Sequence, residues 1–173
     1  VGLVRTGQFL RLAEDTGRIL PMGQWVLEQA CTQLAMWQRQ PRSRDLELSV
    51  NVSARQFRQA DFVDRVARIL RATGARADLL KLELTESLVL DNVEDTIQKM
   101  NALKTLGVRF SMDDFGTGHS SLSYLTRLPL DQLKIDQSFV RNIGSQSTDS
   151  IIIQTIIGMG NNLGLEVLAE GVE

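Results

Sequence analysis

Asn51, Glu83, the Asp113–Asp114 pair, Lys134 and Glu170 have the chemistry to act together. Asn51, Glu83, Asp113, Lys134 and Glu170 each lie at the end of a run of alternating apolar and polar side chains, in phase with the polar ones, and Asp114 follows Asp113 directly. Glu86, Asp136 and Glu173 follow closely. Brought to one place, they would gather four or more carboxylates, one amide and one lysine. Like charges this close repel, so the cluster needs shared protons or a cation. Carboxylate and amide oxygens are hard donors, suited to Mg2+, Mn2+ or Ca2+. The single histidine, His119, and the single cysteine, Cys31, argue against a structural zinc site. Adjacent aspartates at one strand end can serve two metals, which clamp both sides of an in-line phosphoryl displacement. Lys134 would steady an anionic oxygen or orient a water.

The elements that position these residues alternate along the chain. Period-two alternation predicts strands at Leu46–Val52, Leu80–Leu84, Val108–Met112, Gln132–Ile135 and Leu165–Ala169. Helices are predicted at Met22–Arg39 before Pro41, at Asp61–Thr73 before Gly74, at Val93–Leu106 before Gly107 and at Thr148–Leu163 before Gly164. A short helix is predicted to start near Ser120. Such alternation implies right-handed crossovers and a parallel sheet, either open and doubly wound or closed into a barrel. Neither a GxGxxG turn nor a P-loop is present.

The faces of the strands decide between the two. One face carries Glu47, Ser49 and Asn51, then Lys81 and Glu83, Arg109, Ser111 and Asp113, Gln132 and Lys134, and Glu166 and Glu170. The other is apolar. A doubly wound sheet is covered on both faces and reads apolar throughout. The sequence is therefore predicted to be α/β, a TIM-like (β/α) barrel with its polar face inward and the residues named above at the C-terminal ends of the strands.

Composition excludes several classes. Of 173 residues, 43% are hydrophobic and 23% charged, as in a globular domain and unlike a disordered tail or coiled coil. A net charge of −2 provides no basic footprint for duplex nucleic acid. Apolar runs such as Ile151–Ile153 fall far short of a membrane span, and Val1–Leu20 has no signal-peptide pattern. Cys31 cannot form an internal disulfide and reads as core, which suits the cytoplasm, with a membrane tether elsewhere in a longer parent left open. Met36 and Trp37 also read as core, and Trp25 as an apolar position of its helix.

Taken singly, each candidate has a plainer explanation. A strand-end Asp or Glu commonly caps a helix, an Asn commonly occupies a turn, and a lone Lys commonly sits in solvent. The coincidence across five strands is what favours a site. The loop from Asp113 through Leu122 reads either as a simple turn or as a mobile cover over the mouth. His119 reads as structural or loop-exposed.

Six stretches, in order, resemble the EAL-domain family of cyclic di-GMP phosphodiesterases. They are Phe9-Leu-Arg-Leu-Ala-Glu-Asp-Thr-Gly, Ser49-Val-Asn-Val-Ser, Glu83-Leu-Thr-Glu-Ser, Asp113-Asp-Phe-Gly-Thr-Gly, Leu133-Lys-Ile-Asp and Ala169-Glu-Gly-Val-Glu. The resemblance implies a TIM-like barrel with one antiparallel strand that binds cyclic di-GMP at its mouth. It also implies hydrolysis to linear pGpG with Mg2+ or Mn2+, as a two-ion site. By motif, Asn51, Glu83, Asp113 and Asp114 would be metal ligands, with Asp114 also in the catalytic set. Lys134 would bind and activate the attacking water, Glu170 would complete the network, and Glu86 would anchor the loop beginning at Asp114. Glu173 would be a further motif acid of unassigned role. His119 stands where the family often has an aromatic residue.

The family's Glu-Ala-Leu segment is expected upstream of Val1, and a glutamine-bearing segment downstream of Glu173. The chain is thus expected to be a partial EAL domain over 1–173 with no internal boundary. Three functional readings follow: a phosphodiesterase, a non-catalytic receptor that binds cyclic di-GMP and signals by conformation, or a structural or regulatory pseudo-domain that binds no nucleotide. The resemblance also suggests a homodimer and neighbouring sensory or diguanylate cyclase domains.

Overall fold

A computed structural model of the chain describes residues 6–116, 122–141 and 147–172. In order, its elements are α1 (Thr6–Asp15), α2 (Ile19–Trp37), β1 (Leu48–Asn51), α3 (Ala54–Phe57), α4 (Phe62–Thr73), a 3-10 turn (Ala77–Leu79), β2 (Leu80–Thr85), α5 (Glu86–Asp91), α6 (Val93–Thr105), β3 (Arg109–Phe115), α7 (Leu122–Leu125), β4 (Gln132–Ile135), α8 (Gln137–Arg141), α9 (Ser147–Leu163) and β5 (Glu166–Ala169). All four strand pairings are parallel, and the strands lie side by side in chain order. A doubly wound sheet reverses its strand order at a switch point. This sheet has no reversal, and its strand order is that of a barrel wall.

The register carries the curvature. Asn51, Glu83, Ser111, Gln132 and Glu166 form one hydrogen-bonded row across all five strands. The residues predicted at the mouth climb away from that row: Asp113 and Lys134 lie two positions beyond it, and Glu170 four. A climb of roughly one residue per strand is the stagger of an eight-stranded barrel with a shear of about eight. The inward positions stack accordingly. Odd strands contribute Glu47, Arg109 and Glu166, then Ser49, Ser111 and Leu168, then Asn51, Asp113 and Glu170. Even strands interleave Lys81 and Gln132, then Glu83 and Lys134.

The floor of this interior is a charge lattice. Lys81 Nζ lies 2.8 Å from Glu47 and 3.8 Å from Glu166, and Arg109 pairs with Glu47 and, at 3.5 Å, with Glu166. Gln132 joins Glu166 to Ser111 at 3.2 and 3.1 Å. Opposite charges from different strands satisfy one another there, across the interior as well as between neighbours, which offsets the desolvation that makes isolated buried charge costly.

The outer face packs on the helices. Leu80, Leu82, Leu84, Phe110 and Leu133 are fully buried against Leu27, Leu34, Met100 and Leu103. α4 is helical because Phe62, Val66, Ile69 and Leu70 repeat on one face, and Gly74 ends it in the left-handed conformation. α9 approaches β5 so closely that a Cβ at Gly160 would sit 2.3 Å from Val167 Cγ2. Cys31 is buried in α2, where desolvation pushes its thiol up to about 11 and keeps it unreactive near neutrality.

Asp131, between α7 and β4, pins three strands. Its carboxylate accepts from Phe110 N at 2.7 Å and from Lys104 Nζ at 2.7 and 3.0 Å. Its backbone bonds Phe110 O and Glu166 N. Asp131→Ala would leave a strand N–H and a half-buried ammonium without their acceptor. Loss of a charge-assisted bond plus an orphaned donor predicts a destabilisation of about 2–4 kcal/mol. Chemical denaturation should show it as a lower midpoint at unchanged slope.

Several expectations need correction. The interior face is not polar throughout, because Leu168 pairs with Lys134 and shares its phase. β1 begins at Leu48, and Leu46 is exposed. Met36 is more than half exposed rather than core, Trp37 packs partly buried against the core, and Trp25, an apolar position of its helix, is also more than half exposed. Trp25 instead lines a groove of about 580 Å³ between α2 and β1, with Asn51 at its edge. α1, α3, α5 and α8 were not anticipated. Three of these four are short and gain stability by docking rather than from an apolar repeat of their own. His119 and Glu173 lie outside the described residues.

Candidate functional site

Lys134 is the centre of the mouth. It projects inward from β4 and its side chain is 8% exposed. Its ammonium lies 3.1 Å from Glu83 Oε2, 3.0 Å from Asp113 Oδ1 and 2.5 Å from Glu170 Oε1. These acids come from β2, β3 and the end of β5, residues far apart in sequence. Burial by itself would lower the lysine pKa. The hydrogen bonds to Glu170, Asp113 and Glu83 outweigh it and hold the pKa above the ordinary value, so Lys134 stays charged.

The aspartate pair is set by a bulge. Met112 pairs with Leu133 and Phe115 with Ile135, so Asp113 and Asp114 together face the single residue Lys134. Asp114 adopts φ 55°, the left-handed region, which Asp tolerates better than most residues. The extra residue lets both aspartates reach the mouth and returns Phe115 to the apolar side, where it is buried. Strict alternation would have sent Asp114 outward and Phe115 inward.

Asp114 is exposed, yet its carboxyl is pushed up to about 6. Partial desolvation is the largest cause, followed by the Asp113 charge, a hydrogen bond with Asp136 and the charges of Asp136 and Glu170. Asp136 is held below the ordinary carboxylate range, first by the Ser138 side chain and then by backbone N–H groups; Ser138 N donates to its Oδ1 at 2.8 Å. The mouth thus carries more negative charge than Lys134 neutralises. The sign of the stability effect follows. A carboxyl with a pKa of 3.8 unfolded and about 6 folded loses stability as pH rises between those values. Asp114→Asn should raise the thermal midpoint of the metal-free protein at pH 7 and leave it nearly unchanged at about pH 4, by a small amount because solvent screens the group.

Glu86, the first residue of α5, is 4% exposed. Its Oε2 accepts from Gly116 N at 3.3 Å, which ties α5 to the strand-to-loop turn after Asp114. Its Oε1 has no hydrogen-bond partner among the described residues. Asn51 ends β1 beside Glu83 and is exposed. Among the described residues, no three acidic, histidine or cysteine side chains form a ready-made metal cage. The donor chemistry nonetheless fits a hard cation: Asn51, Glu83, Asp113 and Asp114 offer carboxylate and amide oxygens from the ends of three adjacent strands, and the acidic neighbours of Asp114 raise its pKa as a bound cation would not. Sequence reasoning did not single out Asp136 as the partner of Asp114. The signal was its place two residues after Lys134, just beyond the strand.

The model of the EAL domain family matches residues 1–173. The chain belongs to the EAL domain family. It is 44% identical over 99% of its length to the cyclic di-GMP phosphodiesterase NbdA of Pseudomonas aeruginosa, covering 22% of that protein. The structure of the PaMucR phosphodiesterase in complex with c-di-GMP superposes with a TM-score of 0.95 at 42% identity, over 99% of this chain and 69% of that one. Klebsiella pneumoniae BlrP1, solved with manganese and cyclic di-GMP, matches at a TM-score of 0.72 and 29% identity over 87% of this chain and 38% of that one. The chain spans about a fifth to a quarter of the curated relatives it first matches. No helix among the described residues is long and apolar enough to cross a membrane.

Proposed function

We propose that this EAL chain forms part of a divalent-metal-dependent phosphodiesterase that hydrolyses cyclic di-GMP to linear pGpG. The observation that carries the reading is the buried Lys134 ammonium held by Glu83, Asp113 and Glu170 from three different strand ends. Such a cluster is costly to bury, and charge of this kind concentrates where chemistry needs it.

In this reading Asn51, Glu83, Asp113 and Asp114 hold Mg2+ or Mn2+, two ions in all. Bound cations supply charge neutralisation at the phosphoryl group and acidify water. Lys134, always protonated, donates to the attacking water and to developing negative charge. Glu170 accepts from that water and fixes its direction. Water adds at phosphorus, one P–O3′ bond breaks, and the released 3′-oxygen takes a proton, giving a 5′-phosphate and a 3′-hydroxyl. Glu86 holds the turn at Gly116 so that the Asp113–Asp114 bulge stays aimed. Glu173, a further motif acid, receives no step. A cytoplasmic location, a homodimer and adjacent sensory or cyclase domains accompany the reading; the short share of each relative that is matched supports further domains.

The test is incubation of the full-length protein with cyclic di-GMP and Mg2+ or Mn2+, with and without chelator, following pGpG by chromatography. Metal-dependent pGpG is expected. Bound nucleotide without product would turn the reading to a receptor.

A further inference from the structure

Glu170 lies one residue beyond β5, and its backbone N still bonds Ile135 O at 3.2 Å. Its side chain keeps the inward phase of Glu166 and reaches Lys134 at 2.5 Å. The next residue turns the chain away at once. Gly171 has φ 71°, and a Cβ built on it would stand 2.9 Å from Gln137 Cβ and 3.8 Å from Gln137 Cα. Gln137 is itself held in place. Asp136 accepts from Ser138 N and starts α8 with Gln137 as its first residue, and Gln137 Oε1 accepts from Arg141 Nη2 at 2.8 Å. The turn after β5 therefore rests on the turn after β4, and Lys134 and Glu170 are the last inward residues before those two turns.

We infer that Gly171, seated against Gln137, is a positioning residue for the proposed hydrolysis: its left-handed turn and bare Cα aim the Glu170 carboxylate at Lys134. A side chain at 171 meets two separate penalties. One is the left-handed backbone, which Asn accepts and Ala does not. The other is the Gln137 Cβ, below the separation carbon atoms tolerate, and near backbone rather than at the end of a flexible chain. Both push the turn, and Glu170 with it, away from β4.

The inference rests on the proposed reaction, so its test has two readouts. In the full-length protein, Gly171→Ala should lower kcat roughly a hundredfold with KM little changed, the scale of a reacting group displaced by about 1 Å. Gly171→Asn should lose about tenfold, because it relieves the backbone and keeps the clash. On a Gln137→Gly background, Gly171→Ala should recover about tenfold, since only the backbone penalty remains. Equal losses on both backgrounds, or parental kcat in Gly171→Ala, would overturn the assignment. Crystal structures supply the second readout, independent of turnover. Gly171→Ala should show Glu170 out of hydrogen-bond reach of Lys134; an unchanged contact would overturn the assignment even in a protein that turns nothing over. Absence of pGpG from the parental protein sinks the proposed function instead.

Discussion

Replacing Lys134 with methionine should reduce turnover by about a thousandfold while weakening substrate binding far less, if removal of one preorganised donor and its orienting role sets the scale. The reasoning is geometric. Lys134 already meets three carboxylates at 2.5–3.1 Å, so its ammonium is committed to the machinery rather than to the nucleotide. A larger loss in affinity than in turnover would make it a substrate-binding residue. The same variant tests the structure without substrate. Methionine leaves Glu83, Asp113 and Glu170 facing one another with no cation, and breaking a buried pair by removing one partner costs about 3–5 kcal/mol. The pH dependence gives the sign. In the parental protein the raised Lys134 pKa is a stabilising contribution, complete below the unfolded lysine value and lost only as pH rises through the higher folded value, in strong alkali. In the variant the uncompensated acids should take up protons, so its stability should rise as pH falls from about 7 to 5. Thermal melts across that range check it; a deficit independent of pH would mean that lost packing, not charge, dominates.

The second large effect concerns the ligands. Asp113→Ala and Glu83→Ala should each abolish metal-dependent hydrolysis, a loss of a thousandfold or more if each removes an ion from a clamp that acts as a unit. Neither side chain belongs to the apolar core, so both variants should fold. Asp113→Ala also releases a local bond, because Asp113 Oδ1 accepts from Asp114 N at 3.1 Å within the bulge. Each variant takes one counter-charge from Lys134, so the extra local bond should make Asp113→Ala slightly the more costly in stability. Isothermal titration with Mn2+ separates ligand loss from later steps: metal affinity should fall in both variants. Near-parental turnover in both would remove them from the ligand set.

The expected site was legible because barrel geometry converts a strand's last inward residue into a mouth residue. Asn51, Glu83, Asp113, Lys134 and Glu170 could be found one strand at a time, without knowing any contact between strands. Alternation was enough for the even strands, where Lys81 and Glu83 stand in one phase and Gln132 and Lys134 in another such pair. It misread β5, since Leu168 takes an inward place. Burial was less legible than chemistry. Trp25 and Met36 fall on an apolar helical pattern, yet that pattern records only that a face prefers cover, and the packing of α2 leaves these two outside it.

What the sequence determined by itself was local: the order of strands and helices, the inward phase of most strand positions, the strand-end acids, amide and lysine, and the motifs that mark the family. Each of these depends on neighbours within a few residues, through side-chain alternation and capping. The tertiary structure decided what depends on distance. It placed Lys134 among three acids, opened the Asp113–Asp114 bulge against one residue of β4, gave Asp114 the partner Asp136 and set Gly171 on Gln137. The register shift that lets two aspartates face one lysine is a property of two strands at once, because a bulge exists only relative to the strand it fails to match.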